Sequence, residues 1–245
     1  MKILIFGATG MLGHTLFNFL GQKDSDLKTF GIVRDESDFR FFTKDQAKKL
    51  ISAKIDIRYE DINKIIEKVE PDLVLNCIGL IKQDNKSKSS IDSISINSLL
   101  PHIISKVCDD NKIRLIHFST DCVFLGTKGN YSERDDPDSN DLYGLSKLLG
   151  EVNSPNHLTL RTSIIGHEIK KKLGLLEWFL NEKNEIKGFS NAIFSGLTTF
   201  EIAKFIKNFI IPETKISGIY HLSSVPISKY NLLKMINDLY NVNHK

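Results

Sequence analysis

The five apolar-rich residues Lys2–Phe6 (KILIF) run straight into Gly7-Ala-Thr-Gly10-Met-Leu-Gly13. Only a buried strand that turns sharply into a helix satisfies that succession. Met11, Leu12, Leu16, Phe19 and Leu20 then recur at helical spacing. Each glycine has a task in such a turn: reversing the chain, letting backbone approach a bound anion, and packing helix against strand. The N-terminus of the following helix presents unpaired N–H groups and the positive end of its dipole, so the segment is expected to cradle phosphates. The spacing is GxxGxxG rather than the commoner GxGxxG, and glycines so spaced also serve ordinary turns. Their placement between a strand and an amphipathic helix favours the phosphate reading, with Gly7, Thr9, Gly10, Met11, Leu12 and Gly13 as the residues in question.

The alternation of strand and helix continues. Strands are expected at Thr29–Val33, Lys54–Arg58, Leu73–Cys77, Ile113–Ser119 and His157–Arg161. Helices are expected at Asp61–Val69, at Ile94–Asp109 with Pro101 marking a kink or break, and at Leu142–Val152. Such βαβ units build an α/β, Rossmann-like doubly wound parallel sheet, here over residues 1–162. After Arg161 the pattern loosens into helices at Leu173–Asn181, Phe200–Ile210 and Lys229–Tyr240, separated by strand-like Glu185–Gly188 and Gly218–Leu222. Residues 163–245 therefore read as a smaller, substrate-binding lobe at the carboxyl ends of the strands, where open sheets take their ligands.

Composition excludes several classes of protein. In 245 residues, 41% hydrophobic and 26% charged, there is enough apolar material for a core and too much for disorder. No apolar run approaches the roughly 18–20 residues that span a bilayer. The strand begins directly after Met1, which is read as leaving no room for a leader segment. Cys77, Cys108 and Cys122 are odd in number and lack metal-ligand spacing, so neither a disulfide framework nor a metal site is expected, and a reducing cytoplasm is. A net charge of +3 gives no reason to expect nucleic acid, and no membrane partner is expected either. The charge is uneven: residues 1–160 carry 21 basic against 23 acidic side chains, and residues 161–245 carry 12 against 7. That basic third suits either a small polyanionic ligand or a set of solvated helices.

Along this frame, Arg34-Asp35 stands where the second strand should meet an adenosine ribose. An acid there would hold ribose hydroxyls and an arginine would pair with a 2′-phosphate, so Arg34 points to NADP(H), with NAD(H) possible. Asp61 and Ile62 are placed to meet the adenine, and Asn76, Cys77 and Gly79 to line the way to a nicotinamide. Ser119-Thr120-Asp121 ends the fifth strand. Tyr143 and Lys147 follow four residues apart, on one face of a helix. A free phenol titrates near 10 and moves protons poorly at neutral pH. An adjacent ammonium should lower that value and fit Tyr143 for general acid/base work, with a hydroxyl from Thr120 or Ser119 fixing the reacting oxygen. A second pair of the same spacing, Tyr230 and Lys234, follows no phosphate turn and no hydroxyl-bearing strand end, and is set aside. His167 is a surface residue or a partner for a sugar hydroxyl, Lys170–Lys172 a solvated run or a diphosphate contact, and Trp178 a packing residue.

Taken together, GATGMLG, STDCVFLG (119–126), DLYGLSKLLGE (141–151), LRTSIIG (160–166) and FSGLTTFEIA (194–203) resemble the extended short-chain dehydrogenase/reductases. Within that superfamily the chain is similar to the dTDP-4-dehydrorhamnose reductases and their relatives that reduce nucleotide-linked 4-keto-6-deoxy sugars for cell-surface polysaccharides. The resemblance implies Thr120, Tyr143 and Lys147 as catalytic residues. It adds Asn97, Ser119 and Thr162 to the cofactor site, and Leu80, Lys82, Asp121, Cys122, Val123 and Ile164 to the substrate site. A monomer or homodimer is implied. There are departures: Ile164-Ile165 replaces an aromatic residue, Thr198 replaces a proline, and such reductases continue for several tens of residues past the point where this sequence stops. Cys122 stands where a dehydratase would carry a glutamate, which disfavours that reaction. An epimerase of the same superfamily, or a dinucleotide-binding regulatory subunit without turnover, are the alternatives.

Overall fold

Ile3, Leu4, Ile5 and Phe6 are wholly buried because β1 (Lys2–Phe6) is covered on both faces. The period of two sends Ile3 and Ile5 towards helices Met11–Leu20 and Thr199–Phe205, and Leu4 and Phe6 towards helices Tyr59–Val69 and Leu100–Asp110. The structure, a computed structural model, describes residues 1–22, 25–53 and 59–242. Beside β1 lie β2 (Lys28–Val33), β3 (Leu50–Ser52), β4 (Leu73–Asn76), β5 (Arg114–Ser119) and β6 (Leu158–Arg161). Then come the short β7 (Ile164–Ile165), β8 (Ile193–Phe194) and β9 (Leu197–Thr198), followed by β10 (Gly218–His221) and β11 (Ile227–Ser228). Seven of these form one sheet in the order β10-β6-β5-β4-β1-β2-β3, with every pairing parallel. The Rossmann-like, doubly wound expectation is met. Strand order reverses between β1 and β4, so the ligand crevice opens beyond their carboxyl ends.

Several boundaries differ from the sequence expectation. The third strand is Leu50–Ser52, and the expected 54–58 lies outside the described residues. Glu185–Gly188 forms no strand. Gly218–His221 is not part of a separate lobe: it pairs with β6 as the edge of the main sheet. Ile202, Ala203, Ile206 and Ile210 likewise join the main core, so the chain does not divide at residue 162. What stands apart is a small cluster of Leu176, Phe179, Leu232, Leu233 and Ile236, flanked by the β8–β11 and β7–β9 pairs. The helix expected around Pro101 runs through it. Ser90–Ser93 is α-helical, Ile94–Leu99 takes wider π-type pairing, and Leu100–Asp110 resumes as α-helix with the proline in its first turn. Proline lacks the N–H that would bond four residues back, and that position loses nothing where the pairing is already changing.

One buried ion pair ties the ends of β5 and β6 together. Arg161 at the end of β6 donates through Nε and Nη2 to both oxygens of Glu151 (2.8 and 2.7 Å), and the Ser119 hydroxyl at the end of β5 donates to the same carboxylate (2.8 Å). Both charged side chains are less than one-tenth exposed. Truncating Glu151 to alanine would leave the guanidinium buried without a counter-charge. Glu151→Ala should lower unfolding free energy by about 3–5 kcal/mol, measured by urea denaturation.

Candidate active site

The turn after β1 is built for an anion. Gly7 takes a positive φ of 81°, and the Gly10 N–H donates to its carbonyl (2.9 Å). A Cβ on Gly13 would run into that same carbonyl, so only glycine lets the helix start this close to the strand. The helix Met11–Leu20 has Gly10 as its N-cap, no side-chain cap and no acid in its first turn. By contrast Thr43, Asp141, Thr198 and Ser228 each cap a helix start through their side chains. The uncapped N–H groups of the glycine turn, including those of Met11, Leu12 and Gly13, therefore fit a pyrophosphate, which would serve as the cap. Thr9 belongs to the same turn. Arg34 is exposed at the end of β2, and the Asp35 carboxylate next to it accepts from Ser37 N–H (2.8 Å).

The second half is assembled by one buried amide. Asn97, wholly buried in the π-type segment, accepts from Leu80 N–H (2.8 Å) and donates to the Leu80 carbonyl (3.2 Å) and to Ser146 Oγ (3.1 Å). It thus ties the loop after β4 to the helix Leu142–Leu148, which carries Tyr143 and Lys147. Ser98 Oγ donates to the Ser146 carbonyl (2.7 Å) and Ser146 Oγ to the Tyr143 carbonyl (2.9 Å), so the helix is held along its buried side. Its start is capped by Asp141, which also pairs with Lys82 (2.6 Å). Gly144 has no room for a side chain, because Cys122 O and Ser139 occupy the space; the helix therefore presses onto the turn that follows Thr120. Thr120 caps that turn: its hydroxyl accepts from Cys122 N–H (3.1 Å) and donates to Asp121 Oδ1 (3.2 Å).

The electrostatics depart from expectation. Burial raises the Tyr143 phenol well above its ordinary value; Cys122, Asp121 and Asp141 push the same way, and Thr120 opposes them. Lys147 is not among the largest influences on it. The buried ammonium donates instead to the Phe118 carbonyl (2.8 Å), and its own pKa falls from 10.5 to about 8 through desolvation, with Glu151 and Cys77 resisting the fall. Charge in a low-dielectric site is costly, and here that term outweighs the attraction between neighbours.

The sequence profile of the RmlD substrate binding domain matches residues 1–245. The chain belongs to this family. A probable low-salt glycan biosynthesis reductase of Haloferax volcanii is 38% identical over 112 residues, 43% of this chain and 37% of its own length. The methionine adenosyltransferase 2 subunit beta of Danio rerio is 25% identical over 98% of this chain and 74% of its own. A dTDP-4-dehydrorhamnose reductase of Burkholderia thailandensis is 28% identical over 76% and 58%. The match thus spans less than two thirds of the first and third of these relatives. Among solved structures, a dTDP-4-dehydrorhamnose reductase of Bacillus anthracis in complex with NADP superposes with a TM-score of 0.77 at 21% identity, over 100% of this chain and 82% of that one, a likeness of fold.

As a member of the RmlD family, the chain uses some of its expected site residues differently. Ile62 is wholly buried in the core with Leu4, Phe6 and Ile32, so its side chain offers adenine no surface. Asp61 lies beside it, half-exposed in the first turn of its helix. Asn76 and Asn97 do not line the crevice with their side chains. Asn76 accepts from Ile78 N–H and donates to His117, and both it and Asn97 act from beneath. Gly79 lies against Asn97 and the Lys147 ammonium, and half-buried Cys77 has its thiol pushed up by burial. Leu80, Val123 and Thr162 are buried, while Asp121 and Cys122 stay exposed and Ile164 is half-buried in β7. His167 is engaged by Glu177 and Tyr240 (2.8 Å each), and Lys170, Lys171 and Lys172 pair with Asp38, Asp84 and Glu177. Sequence patterns gave no warning of the His117–Asn76 bond, whose only trace was a histidine in a strand. Among the described residues no helix is long and apolar enough to cross a membrane.

The Lys147 shift has a testable sign. A lysine whose folded pKa lies below its unfolded value of 10.5 opposes folding while protonated, and that opposition is relieved as pH rises from about 8 towards 10.5. Lys147→Met should therefore stabilise the protein most at pH 7, and the gain over wild type should shrink through this window. Urea titrations of both proteins across that range check it.

Proposed function

We propose that the protein is an NADP(H)-dependent reductase, able also to use NAD(H), of a nucleotide-linked 4-keto-6-deoxy sugar, working in the cytoplasm in the supply of cell-surface polysaccharide precursors. The observation that carries this reading is a phenol four residues from a buried lysine on one helix, next to the turn that Thr120 caps, at the same sheet edge as a glycine turn whose helix has no cap of its own. The bound nicotinamide would supply the hydride. Tyr143 would then pass its proton to the carbonyl oxygen as negative charge develops there, a direction of transfer that suits a group carrying the proton at rest. Thr120 would fix that oxygen by hydrogen bonding. Lys147 would hold the nicotinamide ribose and, in its charged form, steady the phenolate that Tyr143 becomes. Arg34 would pair with a 2′-phosphate, and Leu80, Lys82, Asp121, Cys122, Val123 and Ile164 would meet the sugar nucleotide.

The likeness to a methionine adenosyltransferase subunit over 98% of the chain supports a second reading, a dinucleotide-binding subunit without turnover. An epimerase would differ in another way, by retaining its cofactor through the cycle. Loss of NADPH absorbance with a panel of nucleotide 4-keto-6-deoxy sugars separates the reductase from the other two, and formation of an epimeric product separates those two from each other. The reductase reading expects turnover with at least one member, cut by at least about 10² in Tyr143→Phe, the scale of general acid catalysis. Binding of NADPH with no turnover on any member would favour the subunit.

A further inference from the structure

Residues 167–174, between β7 and helix Leu175–Asn181, reach from the small cluster onto three loops of the main sheet. Lys170 pairs with Asp38 (2.6 Å), in the turn after β2. Lys171 pairs with Asp84, in the segment after β4, and Asp84 also accepts from Lys86 N–H (3.1 Å). Gly174 lies against the tip of Met11, at the start of the helix that follows the glycine turn after β1. The segment is anchored to its own side by His167, which bonds Glu177 and Tyr240, and by Glu168, which accepts from Gly174 N–H (2.6 Å). Its far contacts are with the loops beyond β1, β2 and β4, the strands whose carboxyl ends border the crevice.

The partners of the two lysines are unequal. The Asp38 carboxylate is 3% exposed, and its second oxygen has no hydrogen-bond partner among the described residues, so the Lys170 ammonium is its main compensation. Asp84 is better provided for and its lysine is more exposed. A surface ion pair contributes little and is screened by salt, whereas one end buried strengthens the bond. Two such bonds can hold a segment closed and still part thermally.

We propose that Lys170 and Lys171 form an ionic clasp over the dinucleotide crevice, which must open for each entry and exit of the cofactor and so retains it. This rests on the reading of the crevice as a nicotinamide dinucleotide site. In a reductase the clasp opens at every turnover.

The test is the rate at which bound NADPH leaves the intact chain, followed by its fluorescence in stopped flow with excess NADP⁺ as the chase. Wild type should release NADPH faster as ionic strength rises. Lys170→Met/Lys171→Met should release it roughly tenfold faster at low salt, since such changes fall mainly on dissociation, and should lose most of the salt dependence. Asp84→Asn should also speed release, and so should Asp38→Asn; Asp84→Asn suffices if burial makes the other variant unable to fold. Unchanged release in the lysine variant would overturn the clasp and leave the dinucleotide site standing. Slower release in the aspartate variants would also overturn it, because freed lysines would then be binding phosphate directly. Failure of wild type to bind NADPH at all, seen by equilibrium titration, would remove both readings.

Discussion

The side chain of Asn97 makes three hydrogen bonds with no exposure to water, and through them the two halves of the crevice acquire a fixed relation. One half is the loop that leaves β4, held at both polar groups of Leu80. The other is the helix of Tyr143 and Lys147, held at Ser146. Neither element contains enough local preference to place itself: Leu142–Leu148 is a helix of seven residues, too short to be stable alone. A buried amide satisfied on every side strongly specifies geometry, because each bond it fails to make would cost a full desolvation penalty.

Burial then decides the electrostatics that this geometry creates. A phenol and an ammonium on one helix face would attract in water, and the phenol would become more acidic. Here the desolvation of each group is larger than that attraction, so the phenol is raised and the lysine lowered. Both shifts favour the uncharged forms. The glycine turn with its uncapped helix is the remaining electrostatic feature of the crevice.

Much of this was legible beforehand, for identifiable reasons. β1 and its turn could be read because burial on both faces enforces an uninterrupted apolar run, and a close helix start enforces glycine at position 13. The Tyr143–Lys147 spacing was readable because helical period is local. Short elements escaped: β3 and the two-residue strands β7, β8, β9 and β11 carry too little pattern to separate from loop. The place of β10 escaped too. Its apolar residues are compatible with any sheet, and only pairing with β6 puts it at the edge of the main one.

Sequence by itself therefore determined the class of the fold, the glycine turn after β1 and the pairing of Tyr143 with Lys147 on one helix, since each follows from periodicity or from residue type at a fixed local spacing. Tertiary structure alone decided that Asn76, Ile62 and Asn97 work from below the crevice, that the lysines of residues 170–172 are committed to carboxylates 132 and 87 residues away in two of the three cases, and which protonation states the central pair prefers. Those outcomes depend on desolvation and on long-range pairing. Both are properties of the packed interior, and no stretch of chain carries them on its own.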